Sequence, residues 1–133
     1  MRSCSMSNIR SVCIVDDSPG MRKMGAGFLQ KADIEVHLAK DGYEALRVIR
    51  EARPDACFID IEMPNLDGLK LASILRASTQ FKHLPIAMLS SASSPFDIQK
   101  GLLAGADLYL TKPFTGDKIA KALIDMEAII DEQ

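Results

Sequence analysis

The chain has 133 residues, 47% of them hydrophobic, which is one domain's worth of sequence with enough apolar side chains to fill a single core. Its 16 basic and 18 acidic residues nearly cancel to a net charge of -2, and no Lys/Arg run is present to neutralise successive phosphates, so direct contact with nucleic acid is not expected. No apolar stretch approaches the roughly 20 residues of a membrane helix and residues 1–8 lack a signal-peptide core, so no membrane insertion and a cytoplasmic location are expected.

Residues 1–8 precede the first apolar run and are expected to form a flexible tail, leaving residues 9–133 as one domain. Ser11 to Val15 reads as a strand. Ser18-Pro19 then marks an N-cap and first helical turn, and Met21, Met24 and Phe28 fall on one face of the helix that follows. Gly25 and Gly27 weaken that helix by about 1 kcal/mol each relative to Ala. Glu35 to Ala39 alternates polar and apolar residues, as a strand at a sheet edge does. The second helix has Ala45, Leu46 and Ile49 on its buried side and is stopped by Pro54. Ala56 to Asp60 is the third strand, and Leu69, Ala72 and either Leu71 or Leu75 mark the helix after it. Pro85 to Leu89 and Leu108 to Thr111 supply the last two strands, separated by a helix marked by Ile98, Leu102 and Leu103. Ile119, Leu123, Met126 and Ile130 step down the final helix at intervals of three and four. Strand alternating with helix implies a parallel sheet, and four nearly continuous apolar strands imply helices on both faces. Connections are short and no repeat or linker appears, so no second domain and no attached output domain are expected.

Cys4, Cys13 and Cys57 form no CxxC pair, and the last two sit in apolar runs where a free thiol packs as a small hydrophobe. Trp is absent, and His37 and His83 are isolated, which leaves no basis for a His-centred metal site or triad.

In an open parallel sheet the loops after the C-terminal strand ends gather at one edge, where ligands bind. Asp16 and Asp17 follow the first strand, Asp60 ends the third, Ser90 and Ser91 follow the fourth, and Lys112 with Pro113 follows the fifth. Each has a plain alternative: Asp16 and Asp17 as helix caps, Asp60 as a turn residue, Lys112 as a solvated cation, and Pro64 with Asp67-Gly68 as a loop. Their joint arrival at one mouth points elsewhere. Three carboxylates that close resist ionising together unless a cation compensates, and a hard divalent ion with oxygen ligands does so. A protonated lysine beside them can pair with a carboxylate or an incoming phosphoryl oxygen, so the set suits phosphoryl chemistry.

Val15-Asp16-Asp17-Ser18, Asp60 to Gly68, Leu89-Ser90-Ser91 and Leu110-Thr111-Lys112-Pro113-Phe114 together resemble, in order, the response-regulator receiver domain. The resemblance implies a flavodoxin-like, doubly wound (βα)5 fold, with a five-stranded parallel sheet in order 2-1-3-4-5 and helices on both faces. It further implies that Asp60 accepts a phosphoryl group from a histidine kinase, a phosphotransfer protein or a small phosphodonor. Magnesium, with manganese as a substitute, would be held by Asp17, Asp60 and the backbone carbonyl of Glu62, with Asp16 acting through water. Lys112 would neutralise the transferring group, Ser90 would hydrogen-bond its oxygen, and Lys112-Pro113 would be a cis peptide. Tyr109, the position of the family's aromatic switch, would turn inward as Ser90 moved, and an effector would meet the face of the fourth helix, fifth strand and fifth helix. Such a chain is a signalling switch acting as a monomer or weak dimer, with no catalysis beyond its own phosphorylation and dephosphorylation.

Phe81-Lys82, Leu89-Ser90-Ser91, Phe96-Asp97 and Tyr109 to Phe114 also resemble stand-alone receivers of chemosensory systems that control type IV pili and twitching motility. Three rivals fit less well. A metal-dependent aspartyl-phosphate phosphatase commonly spaces its first-strand acids two apart, whereas here they are adjacent. A pseudo-receiver that only docks would lack an acid or the lysine, and a flavin domain would place hydroxyls and glycines rather than carboxylates after the first strand.

Overall fold

A computed structural model describes residues 9–132; the tail expected at residues 1–8 lies outside the described residues. The chain alternates β1 (Ser11–Val15), α1 (Pro19–Lys31), β2 (Glu35–Ala39), α2 (Gly42–Ala52), β3 (Ala56–Asp60), α3 (Gly68–Ala77), β4 (Ile86–Ser90), α4 (Pro95–Leu103), β5 (Leu108–Thr111) and α5 (Gly116–Asp131). The strands form one parallel sheet in the order β2-β1-β3-β4-β5.

Alternation along the strands splits the core in two. Cys13, Val15, Cys57, Ile59 and Met88 face α2 and α3, meeting Ala45, Ile49, Leu71, Ala72 and Leu75. Val12, Ile14, Phe58, Ala87 and Leu89 face α1 and α5, meeting Leu29, Ile119, Ala122 and Met126. Every residue of β3 and β4 is buried, because each has a strand on both sides and helices above and below. Cys13 and Cys57 are register partners and fully buried, and burial pushes the Cys57 thiol well above its usual value, so these are packing residues as expected.

Five N-caps fix where the helices start. The side chains of Ser18, Asp41, Asp67, Ser94 and Thr115 each accept from the backbone N–H three residues on. Of these, Ser18 bears on the site, because it leaves Asp16 and Asp17 free of the capping role.

The structure departs from the sequence expectations in four places. β4 begins at Ile86 rather than Pro85, since proline has no N–H for the ladder; the Pro85 carbonyl still accepts from Cys57 N at 3.0 Å. β5 is half-buried along its length although its sequence is as apolar as the central strands, because an edge strand has one neighbour. On α4 only Gly101 is buried, while Leu102 and Leu103 are exposed. The reason is a close approach: a Cβ on Gly101 would lie 2.8 Å from the Tyr109 ring, so the glycine, not the leucines, meets the sheet.

The fourth departure is the phase of α1. Met24 is exposed, and the buried stripe runs through Gly25, Ala26 and Leu29, flanked by Met21 and Phe28. Gly25 sits where an added Cβ would be 2.7 Å from Ile14 Cδ1 and 3.4 Å from the Phe114 ring, whereas one on Gly27 meets nothing within 4 Å. The two glycines therefore differ in kind. Gly27→Ala is expected to raise stability by about 0.5–1 kcal/mol through helix propensity alone, and Gly25→Ala to lose that gain to crowding against Ile14. Urea unfolding of the two variants checks the order.

Candidate functional site

The C-terminal ends of β1, β3, β4 and β5 bring the carboxylates, the hydroxyl and the ammonium to one mouth. Asp16 is fully buried at the end of β1, where its N–H donates to the Ala39 carbonyl at 3.1 Å and its Oδ1 accepts from Ser18 N at 2.9 Å. Its Oδ2 is buried without a hydrogen bond, and the nearest cation, Lys112 Nζ, stands 3.8 Å away. Asp17 is exposed beside it, and ligand oxygens of Asp16, Asp17 and Asp60 all lie within 4.8 Å of one another. Asp60 is 1% exposed, and its Oδ1 accepts from Lys112 Nζ at 3.2 Å.

One ammonium does not balance this much negative charge. Burial pushes the Asp60 carboxyl up to about 7, with the neighbouring charges of Asp16 and Glu62 adding to the rise and Lys112 opposing it. Burial pulls Lys112 down, but the carboxylates of Asp60, Asp16 and Glu62 outweigh it and hold its ammonium above the ordinary lysine value, so it stays charged. The orphaned Asp16 oxygen, three converging carboxylates and a reluctant Asp60 are the arrangement a hard divalent cation completes.

These shifts fix a sign. Without a cation the folded chain holds the Asp60 proton more tightly than the unfolded chain, whose aspartates ionise near 4. Stability from this group is therefore highest below about pH 4, falls by up to about 1.4 kcal/mol per pH unit toward pH 7, and is flat above. In chelator, the stability of Asp60→Asn relative to the parent chain is expected to rise from pH 5 to pH 8, and added magnesium to shrink the difference. Urea titrations at the two pH values measure it.

The loop between β3 and α3 is held by close backbone contacts. A Cβ on Gly68 would fall 2.3 Å from the Asp60 carbonyl oxygen and 2.8 Å from Ile61 Cα, and one on Gly42 would fall 2.7 Å from the Leu66 carbonyl oxygen. Gly68 N and Met63 N both donate to the Ile61 carbonyl, at 3.0 and 3.1 Å, and Met63 and Leu66 are buried. Asp67-Gly68 stands in the motif that begins at Asp60, but nothing in the sequence shows that Gly68 seats the Asp60 backbone.

On the other side, Lys112 N donates to the Ser90 carbonyl at 2.9 Å, the Lys112-Pro113 peptide is cis, and Phe114 anchors the segment against Phe58 with ring centroids 5.5 Å apart. Ser90 is fully buried; its Oγ donates to Glu62 Oε2 at 2.6 Å and accepts from Ala92 N at 3.0 Å. Tyr109 donates from its hydroxyl to the Ala92 carbonyl at 2.7 Å. The sequence placed Ser90 and Tyr109 but not the bonds that join them through Ala92, nor the Glu62 side chain. The Tyr109 ring is half-buried, packed against the core beneath Gly101.

A family model described as the response regulator receiver domain matches residues 12–124. Protein PilG of Pseudomonas aeruginosa is 38% identical over 112 residues, covering 84% of this chain and 83% of that protein. The gliding motility regulatory protein of Myxococcus xanthus is 37% identical over 114 residues, 86% of this chain and 15% of that longer protein. Several further relatives are also longer, and the chain spans less than half of each. The solved structure of the chemotaxis protein CheY4 of Vibrio cholerae superposes with a TM-score of 0.84 at 37% identity, covering 89% of this chain and 98% of that one.

Proposed function

The chain belongs to the response regulator receiver family, as a switch of a phosphorelay, and on that premise we propose that Asp60 is the residue that takes the phosphoryl group. The observation that carries this reading is the Asp60 carboxylate, buried, bonded to Lys112 and crowded by Asp16 and Asp17. In the transfer an Asp60 oxygen forms a bond to phosphorus as the bond from phosphorus to the donor breaks, the electron pair leaving on a histidine nitrogen of the kinase or phosphotransfer protein. Asp16, Asp17, Asp60 and the main-chain carbonyl of Glu62 would hold magnesium, or manganese in its place. The ion supplies neutralisation of charge on the transferring group. Lys112, kept protonated by its neighbours, adds a second positive charge at the same oxygen cluster.

The effector is proposed to dock on α4, β5 and α5. Phe96 and Leu103 of α4 are 71% and 80% exposed, and apolar side chains left in solvent mark contact surfaces when they gather on one element. Control of type IV pili or another surface motility is the pathway the resemblances favour, given PilG and the gliding regulator among the relatives. A cytoplasmic site of action follows from partnership with a kinase, and no helix of the described residues is long and apolar enough to cross a membrane.

Incubation with acetyl phosphate and magnesium is expected to add one phosphoryl group by intact mass, lost on treatment with hydroxylamine as an acyl phosphate is, and absent in chelator. No uptake, or steady turnover of a small phosphoester, would overturn the reading in favour of a docking module or a phosphatase. Asp17→Ala is expected to weaken magnesium binding at least about tenfold, since it removes one of the two charged ligands that meet the ion directly. Calorimetric titration with magnesium reads that loss.

A further inference from the structure

Ser90 carries a single hydroxyl proton, so it can donate to one acceptor at a time. That proton goes to Glu62 Oε2 at 2.6 Å, the short length of a bond to a charged oxygen. The same hydroxyl oxygen accepts from Ala92 N at 3.0 Å, and the carbonyl of that same residue accepts from the Tyr109 hydroxyl at 2.7 Å. One residue, Ala92, thus joins the site to the aromatic ring through its N–H and its carbonyl, with the Glu62 carboxylate at the head of the chain. The ring is half-buried against the core, so close under α4 that a Cβ on Gly101 would stand 2.8 Å from it.

We infer that Glu62 is an internal substitute for the phosphoryl group: its anionic oxygen holds Ser90, Ala92 and Tyr109 in the arrangement that phosphorylation selects, before any phosphoryl group is present. The inference rests on the reading of Asp60 as the acceptor. Glu62 is an exposed residue at the rim while Ser90 is fully buried, so the carboxylate reaches in over the mouth and is free to withdraw to solvent. A phosphoryl group on Asp60 would take the Ser90 proton in its place and, as a second anion, would repel Glu62 outward. The Ala92 and Tyr109 bonds have no reason to change in that exchange. A ligand moves an equilibrium only by its differential affinity for the two states. In this chain phosphorylation would therefore change the ring little, and Glu62 would set the resting output.

The chain has two tyrosines and no tryptophan, so in a Tyr43→Phe background Tyr109 is the only strong intrinsic fluorophore. In that background, with Glu62 intact, acrylamide is expected to quench Tyr109 weakly, and equally with and without magnesium and beryllofluoride, a phosphoryl mimic. Glu62→Ala should raise quenching several-fold in the ligand-free chain, and beryllofluoride should restore protection; Glu62→Gln, which keeps a neutral acceptor, should fall between. Equal ligand-free quenching in the Glu62→Ala and parent chains would overturn the inference, as would a large beryllofluoride response with Glu62 intact. Asp60→Asn separates the two readings. It should keep the ligand-free protection, and if beryllofluoride still restores protection in the double variant Glu62→Ala/Asp60→Asn, the reading of Asp60 fails while the role of Glu62 stands.

Discussion

Lys112→Ala is expected to slow phosphoryl uptake from acetyl phosphate by about 10²–10³-fold, the usual loss when one group aimed at a developing charge is removed from a site. Two causes act in the same direction. The ammonium 3.2 Å from Asp60 Oδ1 is no longer there to meet the transferring oxygens. It is also the group whose charge and hydrogen bond oppose the upward shift of Asp60, so its loss favours the less nucleophilic protonated carboxyl. Magnesium affinity should move the other way, because Lys112 is a cation competing for the same carboxylates at 3.2 and 3.8 Å. Slower uptake together with unchanged or tighter magnesium binding distinguishes an electrostatic role from general damage. Parent-like rates in Lys112→Ala would remove the lysine from the mechanism.

Gly68→Ala is expected to be the most damaging change at a residue that carries no functional group. The new Cβ would meet main-chain atoms, Asp60 O at 2.3 Å and Ile61 Cα at 2.8 Å, and backbone at the end of a fully buried strand cannot turn aside as a side chain tip can. Either α3 moves away or the Asp60 main chain shifts. Overpacking of this kind costs roughly 1–3 kcal/mol or more, and a displacement of about 1 Å at a reacting group costs about 10²-fold in rate. Gly20→Ala is the control. Its Cβ would meet only Ser18 Oγ at 3.9 Å, so stability should stay within about 0.5 kcal/mol of the parent. Urea unfolding and acetyl phosphate uptake of the pair measure both effects, and a Gly68→Ala chain equal to Gly20→Ala in both would show that the contact is not tight.

What was legible in the sequence was what a strand advertises by itself. An apolar run that ends in a charge, as Ala56 to Asp60 does, places that charge at the rim of a buried sheet, and the sequence shows three such charged rims and one that ends in the hydroxyls of Ser90 and Ser91. Glu35 to Ala39 announced an edge by its alternation, whereas Leu108 to Thr111 did not, because an edge strand can be apolar when a helix covers part of it. Helix phase was less legible. Gly25 and Gly101 interrupt a pattern of apolar letters, yet each lies where an added Cβ would crowd a side chain of the sheet, and the methionine and leucines beside them face solvent. Least legible were the Glu62–Ser90 and Tyr109–Ala92 bonds, which span 28 and 17 residues and depend on how a clamped loop aims one side chain. Asx and glycine signals at Asp67-Gly68 told of a turn; that the turn presses on Asp60 is a fact of packing.

The most direct test of the central claim is the identity of the modified residue. After acetyl phosphate and magnesium, borohydride reduction converts a phosphorylated aspartate to homoserine, which tandem mass spectrometry locates in a digest. The account predicts homoserine at position 60 alone and none in the Asp60→Asn chain. Homoserine at Asp16 or Asp17, or undiminished labelling of Asp60→Asn, would contradict it.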